Sequence, residues 1–86
     1  MGGSIYSVRY KAFLRRLREA RLEANLTQVE VAQKLLQPQS YVSRCESGER
    51  RIDVVELTDL AMIYKKPLEY FVDFCTDKNS PPNEVE

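Results

Sequence analysis

The sequence predicts an all-α fold, a compact five-helix bundle, on three observations. Apolar residues recur at three- and four-residue spacing along most of the chain. Helix-start signals in which a Thr or Asp is followed three residues later by Glu occur at Thr27/Glu30 and Asp53/Glu56. No stretch of any length shows the strict alternation of a half-buried strand. With 86 residues the chain is sized for one small domain and one modest core. The expected division is a flexible segment 1–8, a folded domain 9–75 and a disordered tail 76–86, since TDKNSPPNEVE is polar and broken by proline. Met1-Gly2-Gly3-Ser4 reads equally as a cloning remnant or as a native lead-in.

The first helix is expected from Ser7 or Arg9 to about Ala24, because Tyr10, Phe13, Leu14, Leu17, Ala20 and Ala24 fall on one face. Asn25 follows where a helix needs a left-handed residue to stop, a conformation that Asn tolerates. Thr27 with Glu30 forms a capping box for a second helix ending near Leu36. Pro38 pushes Gln37 out of the helical region and itself suits the first turn of a new helix. A third helix, about 38–47, is therefore set at a sharp angle to the second and ends at Gly48. Asp53 and Glu56 cap a fourth, whose stripe is Val54, Leu57, Leu60, Ala61 and Tyr64. Pro67 opens a fifth that runs through about Cys75.

The second and third helices make a helix-turn-helix in outline. Val31, Ala32, Leu35, Val42 and Cys45 supply its apolar side, and Gln39, Ser40, Tyr41, Ser43 and Arg44 leave a polar face that the core does not need. Such a face suits hydrogen bonding to the base edges of duplex DNA.

The formal net charge of +0 conceals an uneven distribution. Up to Arg51 ten Lys and Arg face five acids, a balance of +5, and from Ile52 three Lys face eight acids, a balance of −5. The helix-turn-helix half is basic, as a nucleic-acid partner would require, although plain solvation of helix faces accounts better for Arg15, Arg16 and Arg18. Two cysteines, Cys45 and Cys75, suit neither a disulfide scaffold nor, without any His, a zinc site. A reducing cytoplasm is the expected compartment. No apolar run is long enough to cross a membrane, and Ile5 to Val8 is too short for a signal-peptide core. With no His, no nucleophile–base pair and no phosphate-cradling Gly-rich loop, neither an enzyme nor a cofactor is expected.

Leu26-Thr27-Gln28, the run Pro38 to Arg44, the run Glu46 to Arg51 and the Leu57/Leu60-Ala61 pattern together resemble the Cro/repressor-type (XRE-like) helix-turn-helix family. Its members are lambda repressor-like DNA-binding domains of phage and bacterial regulators, and the resemblance spans about Tyr10 to Val72. It implies that Gln28, at a helix N-terminus, clamps a phosphate, and that Arg21 and Glu46 pair as scaffold. The family usually has Gly where this chain has Leu36, so either the turn is made differently or the second helix runs longer. Glu49 also departs, standing among the phosphate contacts that the resemblance implies.

On this reading Gln39, Ser40 and Arg44 are base readers, Arg44 suiting guanine or a phosphate, and Ser43 is a further contact. Gln28, Tyr41, Arg50 and Arg51 are phosphate holders. Tyr41 has a second reading, packed against the second helix, and Arg50 and Arg51 a second one as a solvated loop. Cys45 and Ala32 read as small core residues. The expected function is sequence-specific binding of double-stranded DNA by a transcriptional regulator, a repressor. Homodimerisation through the fifth helix is expected at Leu68, Tyr70, Phe71 and Phe74, since apolar groups there cover more than one face. The alternative is a protein-interaction module, an antitoxin or anti-repressor partner that docks through the same surface.

Overall fold

The first helix, α1 (Val8–Glu23), starts where Ser7 is extended and its Oγ accepts from the Tyr10 amide at 3.0 Å. In the computed structural model, which describes residues 7–72, four further helices follow: α2 (Gln28–Leu35), α3 (Gln39–Ser47), α4 (Val54–Tyr64) and α5 (Leu68–Phe71). No strand occurs among the described residues. Apart from Ser7 and Val8, the expected lead-in lies outside them, as does the expected tail.

Each boundary has a local cause. Asn25 takes a φ of 59° and the Leu26 amide returns to the Arg21 carbonyl, which closes α1. Thr27 and Glu30 form the expected reciprocal box, at 3.1 and 2.8 Å. Asp53 and Glu56 do the same for α4, at 2.8 and 3.0 Å. Leu36 ends α2 with a left-handed φ of 59°, and the Gln37 amide reaches the Ala32 carbonyl at 2.9 Å. The turn is thus neither remade nor delayed. A leucine holds the conformation that glycine adopts at no steric cost. Gly48, at φ 88°, has a conformation that L side chains rarely adopt, and a Cβ there would also lie 2.9 Å from Leu14 Cδ1, which would have to shift.

Three expectations about the helices need correction. Pro38 stands before α3 and not in its first turn: its ψ of 157° is extended, and Gln39 is the first helical residue. Val54 does not join the α4 stripe; it is exposed and lines an open groove with Tyr10, Ile52 and Val72. Helix α5 does not run through Cys75 but ends at Phe71, with Val72 outside helical geometry. Phe74 and Cys75 lie outside the described residues.

The core collects Phe13, Leu17 and Ala20 of α1, Val31 and Ala32 of α2, Val42 of α3, Leu60, Ala61 and Tyr64 of α4, and Phe71 of α5. Phe71 is fully buried, so it cannot serve as the dimer-face residue it was expected to be. Its ring closes the bundle, and burial of one such side chain contributes about 2–3 kcal/mol. Ala32 is small where α2 and α3 pack closely. The outcome is a four-helix support that holds α3 at the surface by one side only.

Candidate functional site

Three residues separate α2 from α3. Helix α3 is anchored by Val42 and Cys45, both buried, which leaves Gln39, Ser40 and Arg44 exposed on its outer side. Tyr41 and Ser43 are half-buried at the margins of that face. Burial pushes the Cys45 thiol above its ordinary value, as a core residue with little thiolate would show.

Behind the exposed face runs a chain of side-chain bonds. Arg21 of α1 donates from Nε to Glu46 Oε2 at 2.6 Å and from Nη2 to Glu46 Oε1 at 3.1 Å, with Nη1 on the Leu26 carbonyl at 3.0 Å. This is the pairing that the resemblance implied. Both side chains are nearly buried, and the carboxylate raises the Arg21 pKa further above its ordinary value. Glu46 Oε1 also accepts from Gln28 Nε2 at 3.0 Å, and Gln28 Oε1 accepts from Gln39 Nε2 at 2.8 Å. The amide of Gln39 is thereby oriented by a half-buried neighbour, through a bond that itself lies at the surface. Its Oε1 and its second Nε2 hydrogen stay available, which is the acceptor–donor pair that adenine needs in the major groove.

The loop after α3 is held from two sides. Tyr10 Oη of α1 accepts from the Ile52 amide at 3.3 Å, and the Arg51 guanidinium lies 4.4 Å from the Tyr10 ring centroid. Arg50 donates to both Glu56 oxygens, at 2.9 and 2.8 Å, while its guanidinium lies 4.6 Å from the Tyr41 ring centroid. Glu49 approaches Arg44 at 3.9 Å, both side chains being exposed. Such a pair is weak in water and yields readily to a phosphate.

The structure therefore places Gln28, Gln39, Ser40, Tyr41, Ser43 and Arg44 on or beside one face of the helix pair. Arg50 and Arg51 sit on the adjoining loop, each stacked on a tyrosine. Sequence reading missed the roles of Tyr10 and Glu56. Tyr10 counted only as part of an apolar stripe and Glu56 only as a cap, although a phenol and a carboxylate each keep further hydrogen-bonding capacity.

A family model described as helix-turn-helix matches residues 17–71, well over half of the chain. No curated protein and no solved structure matched it. No helix among the described residues is long and apolar enough to cross a membrane.

Proposed function

Because the chain belongs to the XRE-type, or Cro/repressor-type, helix-turn-helix family of DNA-binding regulators, we propose that it reads a specific double-stranded DNA site with α3 in the major groove. It acts in the cytoplasm by occupancy, as a repressor, with no catalytic step. The observation that carries this reading is Gln39: it is exposed at the start of α3, yet its amide is fixed by Gln28. An exposed amide whose direction is set by a neighbouring side chain suits base recognition better than general solvation.

Ser40 and Arg44 extend the base-reading face, and Ser43 borders it. Gln28 at the start of α2, Tyr41 and Arg51 contact the backbone and set the register. Arg50 is left out of that set, because its guanidinium is already bound to Glu56.

One helix-turn-helix covers a short site, so useful specificity calls for two copies on a two-fold symmetric sequence. A second copy would cover Leu68 of α5 and Val72 just past its end, each 42 % exposed, beside half-buried Tyr70, whose ring lies against Lys66 and Arg16. Phe74, expected in the same surface, lies outside the described residues. Selection of bound sequences from random duplex DNA tests both points. A recovered palindrome is the expected outcome, and no enrichment of any sequence would remove the reading.

A further inference from the structure

Arg50 stands in the loop that a DNA backbone would pass, yet its chemistry is turned inward. Two parallel bonds join it to Glu56, Nη1 to Oε1 at 2.9 Å and Nη2 to Oε2 at 2.8 Å. Nη1 also meets the Arg51 carbonyl at 3.2 Å, and the Arg50 amide returns to the Arg44 carbonyl at 3.2 Å. One face of the guanidinium covers the Tyr41 ring at 4.6 Å. Bidentate pairing of this kind fixes orientation as well as distance, and the carboxylate offsets the charge that a phosphate would need.

Both partners of Arg50 are placed to transmit position. Glu56 Oε1 is shared with the Asp53 amide at 3.0 Å, so the same carboxylate caps α4 and holds the loop. Tyr41 lies in the first turn of α3 and packs against the core, beside a small gap that it shares with Leu17 and Leu35. The ring is therefore pressed from inside by the core and from outside by the guanidinium. Three elements meet in one latch: the base-reading helix through Tyr41, the loop through Arg50, and the start of α4 through Glu56.

We infer that Arg50 is a positioning residue for DNA reading, bracing Tyr41 against Glu56 so that the first turn of α3 keeps its angle to the groove, and is not a phosphate contact. The inference rests on the DNA-reading role proposed above. A phosphate contact and a brace give opposite results when Glu56 is neutralised. Freeing a phosphate-binding Arg strengthens binding and steepens its salt dependence, whereas cutting a brace weakens binding and leaves the salt slope alone.

The test compares wild type, Glu56→Gln and Arg50→Lys on a selected duplex and a random-sequence duplex over a range of salt, with thermal melts confirming that each is folded. Gln at 56 keeps an acceptor for the Asp53 amide, and Lys at 50 keeps the charge but loses the planar fork. Each variant is expected to bind the selected duplex roughly three- to tenfold more weakly, with an unchanged slope of log K against log salt and little loss on random duplex. Tighter binding and a steeper slope in Glu56→Gln, or full affinity in Arg50→Lys, would overturn the brace while leaving the DNA-reading role intact. Wild type that binds neither duplex in a salt-dependent way would remove that role and the brace with it.

Discussion

Gln28 donates from Nε2 to Glu46 Oε1 at 3.0 Å, so the first residue of α2 is bonded to the last turn of α3. The same carboxylate receives Arg21, and the same glutamine receives Gln39. Stability and the placement of Gln39 therefore share one nearly buried group.

Glu46→Ala is expected to lower both. It leaves the Arg21 guanidinium buried without its counter-charge, a change that costs about 2–4 kcal/mol at a site of this burial. It also releases Gln28, and through it Gln39. Thermal melts and duplex binding measured on the same samples check this; an unchanged unfolding midpoint would sink the account of the relay.

Leu36→Gly is expected to stabilise. Leu36 is 89 % exposed and sits at φ 59°, so its side chain contributes little packing while its Cβ crowds the backbone. Relief of that strain, less the greater freedom of glycine in the unfolded chain, should yield about 0.5–1 kcal/mol. For a domain of this size the unfolding midpoint should rise by about 2–8 °C. A lower midpoint would show that Leu36 is held by contacts of its own.

These two residues show how much of the molecule was legible in its sequence. Helix starts were readable because capping boxes are written in side chains three residues apart, and the helix-turn-helix because its apolar positions keep helical spacing. The Arg21–Glu46 pair came from the family resemblance, not from spacing, since 25 residues separate the partners. The stop at Leu36 was readable as a place but not as a conformation, because leucine carries no signal for a left-handed φ. Links such as Gln28 to Gln39 and Arg50 to Glu56 depend on the angle between helices, which no local pattern states. Phe71 misled for a related reason: an aromatic near a chain end suits a core and an interface equally until packing decides.

Tyr64→Phe is expected to leave stability unchanged or to raise it by about 1 kcal/mol. The Tyr64 hydroxyl is buried with no hydrogen-bond partner among the described residues, beside a gap too narrow for a water molecule. Burial pushes its phenol well above the ordinary range. Denaturant unfolding of the variant checks this, and a clear loss of stability would reveal a partner for the hydroxyl.

Acid should weaken the latch through Glu56. Its carboxyl is held down at about 2, from an ordinary 4.5, first by the Arg50 bonds and then by the Asp53 amide. A depressed carboxyl adds stability in full above its unfolded value and loses it as pH falls through the window from 4.5 to about 2. The stability gap between wild type and Glu56→Gln should therefore narrow from about pH 6 to about pH 3. A gap that stays constant, or widens, would contradict the pairing.

The central claim is that α3 reads duplex DNA, and its most direct measurement is affinity for a selected duplex as a function of salt, in wild type and in the double variant Gln39→Ala with Arg44→Ala. Wild type should bind with an affinity that falls steeply as salt rises, and the double variant should lose about tenfold or more while its melting curve stays close to wild type. Equal binding by the two proteins, or wild-type binding indifferent to salt, would contradict it.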